Sequence, residues 1–369
     1  MKKPQTEDTS APSPRANPDL VGHADAEATF LDAFQSGRMA HAWMICGPKG
    51  IGKATFAYRC ARFVLMRAED YEQDDGGLFG NALPAPSVTS LRQDPEDPVF
   101  QRIVSGGHGD LLVVERSVNE KTGKLRSEIV VGDVRGVTQF MSMTSSEGGW
   151  RVVIVDAADE MNRNAANALL KVLEEPPART LLLLVSHNPS WLLPTIRSRC
   201  RKLVLRPLRE IQVSDIVRTH LPDLSSGDID NLVTLADGSV GRALSLAEGG
   251  GLEVFAVTKA LLDSLPHLDI PTLHAFGDKI ARAENEPRYR VACDLILWGL
   301  SGIIRAASGD TKTVTDPHIV RLAGTGGLDR WLEVWEKTND LFAQADGVNL
   351  DRKQVILNVF LMLERTSRA

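Results

Sequence analysis

The sequence predicts an α/β P-loop domain followed by an all-helical region. In the first half of the chain, amphipathic segments alternate with four short apolar runs, at 42–46, 111–115, 151–155 and 181–186. These runs are too apolar for half-exposed strands and are typical of a parallel sheet covered by helices on both faces. A glycine-rich loop follows the first run directly, and strand patterns cease after Pro207. Together these observations predict the fold class.

Length and composition are those of an ordinary globular protein. The chain has 369 residues, 43% of them apolar and 24% charged, which corresponds to two or three domains. Its net charge of −6 disfavours a protein that binds nucleic acid mainly by neutralising phosphates. The four cysteines lack the C-x-x-C spacing of zinc or redox sites and predict reduced thiols in a cytoplasmic protein. No apolar run is long enough to span a membrane, so no membrane partner is expected.

Composition shifts divide the chain into four predicted segments. Residues 1–18, with charges, prolines and no apolar run, are predicted to be a disordered tail. Residues 19–207 carry the alternating α/β pattern. Residues 208–250 contain two or three short helical patterns and end at a run of three glycines, and residues 251–369 contain five or six amphipathic helices.

Helices and insertions lie between the predicted strands. Helical patterns occupy 53–66, 134–141 and 163–175. An insertion at 69–98 begins with an acidic run and continues with many Gly and Pro, which predicts a mobile surface excursion. A second insertion at 116–127 has a Lys-Thr-Gly-Lys centre that predicts a hairpin turn.

A phosphate-binding loop is the clearest chemical motif. Residues 47–54 lie between a strand and a helix, where backbone N–H groups and the helix N-terminus surround phosphate oxygens and Lys53 reaches the terminal phosphates. Ala54 replaces the Ser or Thr whose hydroxyl ligates Mg²⁺ in P-loop enzymes, and Thr55 is turned about 100° away on a helix. The candidate site comprises Gly47, Pro48, Lys49, Gly50, Ile51, Gly52, Lys53, Ala54, Thr55 and Asp156.

The second half of an ATPase site is also degenerate. Asp156 ends an apolar run, as an Mg²⁺-holding acid does, but Ala157 follows it where a glutamate would polarise the attacking water. Asp159 and Glu160 come later and are interpreted as acids at a helix entry. We therefore expect no hydrolysis, while the intact loop leaves ATP binding open.

A basic cluster follows the last predicted strand, with Arg199 at the rim of the nucleotide-binding layer. For Arg199 the sequence leaves open a phosphate held by a neighbouring subunit, a DNA-backbone contact and a surface ion pair. The six cations of the cluster are Arg197, Arg199, Arg201, Lys202, Arg206 and Arg209.

From Asp19 onward the chain resembles the delta-prime subunits of bacterial DNA polymerase III clamp loaders, a family of AAA+ proteins. The most specific match is N-A-L-L-K-V-L-E-E-P-P joined to S-R-C. The matching words are L-V-G-H (20–23), H-A-W (41–43), the phosphate loop (47–54), G-G-H-G-D-L-L-V-V-E (106–115), N-A-L-L-K-V-L-E-E-P-P (167–177) and S-R-C (198–200).

The resemblance implies an AAA+ domain, a small helical lid and an all-α collar that joins a hetero-pentamer with motor and delta-type subunits. It implies a non-hydrolysing part of a DNA-directed DNA polymerase holoenzyme, a nucleotidyltransferase. Through the complex the chain would act on the sliding clamp and primer-template DNA. The resemblance also implies that Arg199 projects into the ATP site of an adjacent motor subunit.

The chain departs from this family in two places. Many relatives carry a four-cysteine zinc module after the phosphate-loop helix, but residues 69–98 contain no cysteine, so we expect no zinc and no required cofactor. Gly238-Ser239-Val240-Gly241 places Arg242 one position later than the lid arginine of motor subunits, which counts against a second nucleotide sensor. The competing hypotheses are an active AAA+ ATPase and a nucleotide-gated DNA-binding module.

Overall fold

A computed structural model describes residues 13–67, 89–119, 123, 125–147, 149–282, 286–310, 316–348 and 350–368. The chain forms two compact units. Among the described residues, the first comprises those up to Pro222 together with Asp237–Gly241, and the second comprises Asp223–Ala236 together with those from Arg242 onward.

The first unit is built on one parallel sheet. Its spatial order is β2-β3-β4-β1-β5, and Trp43 pairs with Leu183 on one side and Arg201 on the other. All strands therefore end at one edge of the sheet, here called the carboxyl edge, and begin at the opposite, amino edge. The strands are β1 (Ala42–Cys46), β2 (Leu111–Val114), β3 (Arg151–Asp156), β4 (Thr180–Ser186) and β5 (Arg201–Val204).

Burial along the strands follows their place in the sheet. β1 and β4 are buried throughout and β3 in all but its last residue, as the apolar runs predict. β2 is half-buried because it is an edge strand, so the prediction of burial on both its faces is wrong. β5 is the outermost strand on the opposite side of the sheet from β2. It buries only Leu203 and was not predicted as a strand.

Helices cover both faces of the sheet, which confirms the predicted α/β layering. One apolar core lies beneath α1 (Ala24–Gln35), α2 (Lys53–Met66) and α3 (Pro98–Val104). The other lies beneath α4 (Val131–Ser142), α5 (Arg163–Glu174) and α6 (Pro194–Arg197). With the phosphate loop after β1 and helices on both faces of a parallel sheet, the unit has the predicted α/β P-loop architecture.

Helix α2 is buried on almost every side, and two of its arginines donate hydrogen bonds to the preceding chain. Arg62 is fully buried and donates to the carbonyl oxygens of Arg15 (2.9 Å) and Asn17 (2.8 Å). Arg59 donates to the Pro18 carbonyl (2.6 Å). A disordered tail reaching residue 18 is therefore too long a prediction, because backbone carbonyls from residue 15 onward accept hydrogen bonds from these buried guanidinium groups. Residues 1–12 lie outside the described residues.

The two predicted insertions have different outcomes. Residues 69–88 of the first lie outside the described residues. Its last part is not a surface excursion, because Leu91 is fully buried in the core and Asp97 caps the N-terminus of α3. In the second, the antiparallel bridge between Val118 and Leu125 confirms the predicted hairpin, while 120–122 and 124, at its centre, lie outside the described residues.

The rest of the described chain is helical, as predicted. Within the segment predicted as a lid, α7 lies in the first compact unit and α8 in the second. The division into nucleotide-binding domain, lid and collar stays a prediction. The helices are α7 (Glu210–His220), α8 (Ser226–Ala236), α9 (Val240–Glu248), α10 (Gly251–Asp263), α11 (Ile270–Ile280), α12 (Glu286–Ala307), α13 (Pro317–Gly326), α14 (Leu328–Val348) and α15 (Arg352–Ser367).

Within the described ranges, the helices fall short of the combined length and apolarity that crossing a membrane requires.

Candidate phosphate site

The phosphate loop takes its shape from backbone conformations that only glycine adopts easily. Gly47 has φ +148°, and a Cβ there would lie 2.4 Å from the Leu205 carbonyl oxygen. Gly52 has φ +101° at the N-cap of α2. The predicted strand–loop–helix arrangement is therefore present at the carboxyl edge, where ligands of open α/β sheets bind.

Lys53 is buried inside this loop. Its side chain donates to the Pro48 carbonyl, and the residue is only 3% exposed. Burial lowers the pKa of Lys53 to about 8, although the nearby carboxylates of Asp156 and Asp159 favour its charged form. A cation held among loop amides at a helix N-terminus is suited to a phosphate or another anion.

Titratable groups at the ends of the neighbouring strands also have shifted pKa values. Burial raises the pKa of Asp156 to about 6, with Glu115 adding to the shift and Lys53 opposing it. Burial, with Lys53 acting in the same direction, lowers the pKa of His187 to about 4. Glu115 and His187 were not among the predicted site residues, although each directly follows a strand at the carboxyl edge.

The two acids after β3 already have structural partners. The Asp159 carboxylate accepts the backbone N–H groups of His187 and Asn188, both at 2.9 Å. Glu160 pairs with Arg116 at 2.9 Å. Both carboxylates therefore have partners within the chain.

A turn that is distant in sequence forms hydrogen bonds with the phosphate loop. The Ser239 hydroxyl donates to the Lys49 carbonyl (2.8 Å), and the Gly241 N–H donates to the Gly50 carbonyl (2.9 Å). A Cβ on Gly241 would lie 2.9 Å from the Cα of Gly50. The sequence analysis considered this turn only as a possible nucleotide sensor and missed its contact with the loop. The only sequence signal for that contact is a pair of glycines between two helical patterns.

His23, in the L-V-G-H word, supports the loop from another side. Its Nε2 lies 2.7 Å from the Ile51 carbonyl oxygen, and the residue is 5% exposed. A carbonyl can only accept, so Nε2 donates and carries the proton. Burial lowers the pKa of His23 and favours this neutral form.

Arg199 lies at the opposite edge of the sheet. One residue, Cys200, separates it from β5. β5 begins beside Trp43, near the start of β1, whereas the phosphate loop begins after Cys46, at the end of β1. Five strand residues span about 16 Å. The predicted rim position is thus the amino edge, out of reach of the chain's own phosphate loop.

The contacts of Arg199 are local. Its guanidinium pairs with Glu174 at 2.9 Å and donates to the Thr195 carbonyl at 3.0 Å. The two charged side chains are 35% and 49% exposed. The surface ion pair considered from the sequence is therefore present, and it is of the exposed kind that contributes little to stability.

The other cations of the basic cluster do not converge on Arg199. Arg201 lies over the Trp43 ring, 4.6 Å from its centre. The remaining four are exposed, and among the described residues no carboxylate forms an ion pair with them; they are Arg197, Lys202, Arg206 and Arg209.

Comparison with known proteins confirms the predicted resemblance. The family described as "DNA polymerase III, delta subunit" matches residues 85–209. The chain is 37% identical over 201 residues to DNA polymerase III subunit delta' of Pseudomonas aeruginosa, covering 54% of this chain and 53% of that protein. It is 30% identical over 241 residues to the delta' subunit of Escherichia coli, covering 65% and 64%. The chain thus spans about half to two thirds of the length of these relatives.

More distant matches include a second kind of subunit. The tau subunit of Escherichia coli is 26% identical over 306 residues, covering 79% of this chain and 43% of that protein. Among solved structures, a DNA polymerase III gamma subunit-related protein of Thermotoga maritima matches with a TM-score of 0.37 and 17% identity, covering 92% of this chain and all of that one. The sequence matches alone relate the chain to subunits of bacterial DNA polymerase III.

Proposed function

We propose that this chain is a non-hydrolysing, delta-prime-type subunit of a DNA polymerase III clamp loader that supplies Arg199 to ATP bound by a neighbouring subunit. The observation that carries the proposal is the separation of the two elements along the sheet. A degenerate phosphate loop occupies the carboxyl edge, and a half-exposed arginine occupies the amino edge.

The chemistry of the carboxyl edge supports the absence of hydrolysis. Phosphoryl transfer depends on positioning Mg²⁺ and the attacking water. Ala54 and Ala157 supply no side-chain oxygen for either task, and Asp159 accepts two backbone N–H groups. Asp156 and Lys53 remain, so the site retains groups that bind an anion without those that cleave one.

The position of Arg199 supports action on another chain. A guanidinium can stabilise the charge that spreads over a transferring phosphoryl group, but only from direct contact. Arg199 lies about the length of β1 from its own loop. Its exposed pair with Glu174 costs little to break, so the guanidinium is available to a phosphate on a partner.

The partners follow from the same proposal. Motor and delta-type subunits would form a hetero-pentamer with this chain, and the complex would load the sliding clamp onto primer-template DNA. Residues 252–369 would carry most of the energy of assembly, because their amphipathic helices can bury apolar faces against neighbouring collars. Deletion of 252–369 should then abolish incorporation, and an intact pentamer after that deletion would contradict the collar role.

The experiment that tests the proposal combines turnover with co-purification. We expect the isolated chain to show no Mg²⁺-dependent ATP hydrolysis above background and to co-purify with clamp-loader subunits. Hydrolysis that disappears in Lys53→Ala would favour the alternative of an active AAA+ ATPase. Salt-dependent DNA binding by the isolated chain, without clamp-loader partners, would favour the nucleotide-gated DNA-binding module.

A further inference from the structure

A fully buried arginine on α2 lies beneath the chain that precedes α1. Arg62 donates through Nη1 to the Arg15 carbonyl (2.9 Å) and through Nη2 to the Asn17 carbonyl (2.8 Å). Its guanidinium also lies 4.4 Å from the centre of the Phe100 ring on α3. Among the described residues, no Asp or Glu forms an ion pair with Arg62. A buried cation without a counter-ion depends on hydrogen bonds to the groups that cover it, and here those groups are backbone carbonyls.

Residues 13–18, here called the strap, cover this arginine and a second one. Arg59 donates to the Pro18 carbonyl at 2.6 Å. In the opposite direction, the side chain of Arg15 in the strap donates to the Tyr58 hydroxyl at 3.4 Å. The strap therefore contacts one continuous surface of α2 and α3. We call this surface the strap site; its residues are Tyr58, Arg59, Arg62 and Phe100.

The strap is attached through its backbone and not through large apolar side chains. Residues 15–18 are half-buried, and the only non-proline apolar residue of the strap is Ala16. The N–H groups of Ala16 and Asn17 donate to the Ser13 carbonyl at 2.9 and 3.0 Å, which forms a turn. The two prolines of the strap restrict its free conformations and lower the entropic cost of binding. A segment with so few buried apolar contacts opens at a lower free energy than the core.

The strap site selects a neutral backbone over an acidic segment. The strap contains no carboxylate, and its carbonyls at three positions accept from the two guanidinium groups. Arg59 already has Glu27 of α1 as its ion-pair partner. Binding through main-chain hydrogen bonds is a common way to recognise an extended peptide.

The chain that follows the strap directly supports the phosphate loop. Asp19 alone separates the strap from Leu20, and a Cβ on Gly52 would lie 3.3 Å from the Leu20 Cδ1. His23 donates through Nε2 to the Ile51 carbonyl at 2.7 Å. Because one residue joins the strap to these supports, release of the strap gives them freedom to leave the loop.

We propose that the strap site is a peptide-binding surface for main-chain carbonyls, that residues 13–18 occupy it within the same chain, and that their release loosens the phosphate loop. The occupant is the chain's own segment, seated on the site in this structure. The inference therefore does not depend on the proposed function or on any other subunit.

The first test measures hydrogen exchange in the full chain. Arg62→Met keeps an apolar side chain against the α3 ring and removes both donors. The N–H groups of Ala16 and Asn17 should then exchange about tenfold or more faster. The Phe56 N–H, which donates to a phosphate-loop carbonyl at 2.9 Å, should also exchange faster. Arg102→Met, at an exposed arginine on α3, is the control and should leave all three rates unchanged.

The second test supplies the strap as a separate molecule. A labelled peptide of residues 13–20 should bind a chain that lacks residues 1–18, and binding should be about tenfold or more weaker in the same truncated chain with Arg62→Met. The full chain should bind the peptide weakly, because its own strap fills the site. A chain that lacks only residues 1–12 retains the strap and should behave as the full chain does.

The outcomes decide each part of the proposal. Wild-type exchange at Ala16 and Asn17 in Arg62→Met overturns the strap site, and this result stands even where the truncated chain fails to fold. Faster exchange at these two amides with no change at Phe56 overturns the link to the phosphate loop. Tighter binding of an acidic peptide of equal length than of residues 13–20 makes the surface a carboxylate site and overturns the recognition of carbonyls.

Discussion

The two edges of the sheet differ in how far the chain itself satisfies their polar groups. At the carboxyl edge, Ser239 and Gly241 bond to carbonyls of the phosphate loop, and Asp159 accepts two backbone N–H groups. At the amino edge, Arg199 has one exposed carboxylate partner and one local carbonyl. The phosphate loop is thus held by internal hydrogen bonds, whereas the only contacts of Arg199 described above are an exposed ion pair and one local hydrogen bond.

The largest expected effect is a loss of folding stability from a substitution at the carboxyl edge. Gly47→Ala should lower the free energy of unfolding by about 3 kcal/mol or more, because the new Cβ meets the Leu205 carbonyl oxygen and φ is positive. Gly37→Ala is the matched control, since Gly37 also has positive φ but open space at its Cβ position. Urea unfolding of both variants checks this, and equal losses would mean that the close approach at Gly47 contributes nothing.

A pH profile tests the charged groups of the same edge. Because burial raises the pKa of Asp156 from 3.8 to about 6, the folded state binds more protons than the unfolded state between these values. The stability from this group is therefore full below pH 4 and is lost as pH rises through 6. Asp156→Asn should remove this loss, on the order of 2 kcal/mol.

The measurement is urea unfolding at pH 4 and pH 7, compared between wild type and variant. Asp32→Asn, at an exposed position on α1, is the control and should leave the profile unchanged. His187 contributes in the opposite direction, since its lowered pKa makes stability fall as pH drops from 6.5 to about 4, and it does so in all variants. Identical profiles for wild type and Asp156→Asn would show that Asp156 does not titrate in this range.

A smaller effect is expected for Asp159. Asp159→Ala should cost about 1–2 kcal/mol, because the backbone N–H groups of His187 and Asn188 lose their acceptor. Hydrogen exchange of these two amides should accelerate more than exchange in the core of β4. Unchanged exchange at both amides would contradict the role of Asp159 in holding the turn.

The smallest effect is expected at the amino edge. Glu174→Gln removes the partner of Arg199 and should change the free energy of unfolding by about 0.5 kcal/mol or less, as for other exposed pairs. Chemical denaturation checks this. A loss above about 1.5 kcal/mol would make Arg199 a structural ion-pair residue and remove the contrast between the two edges.

Local sequence patterns predicted the elements that carry an apolar run or a glycine motif within their own segment. The runs of β1, β3 and β4 and the bounds of α2 follow from apolar spacing and from the glycine loop. β5 could not be found this way, because an edge strand that exposes Arg201 and Lys202 lacks an apolar run. The extent of the ordered N-terminal segment depends on Arg59 and Arg62 being buried, which hydropathy does not indicate.

The chemistry of the site was predictable only in part. The phosphate loop, Lys53 and the alanines at 54 and 157 come from spacing along one segment. The contact of Ser239 with Lys49 joins residues 190 positions apart and leaves no local signal. The location of Arg199 opposite the loop depends on β5 pairing with β1, which is a property of sheet order and not of any motif.

The most direct test of the role proposed for Arg199 is Arg199→Ala in the reconstituted loader, measured as ATP hydrolysis stimulated by clamp and primed DNA. Hydrolysis at the served site should fall by about 10³-fold or more, total turnover only in part, and clamp loading further. Arg206→Ala and Arg209→Ala should have much smaller effects, and Arg199→Lys should not rescue, because an ammonium lacks the guanidinium fork. Normal clamp loading by Arg199→Ala, or failure only through lost assembly, would contradict the account.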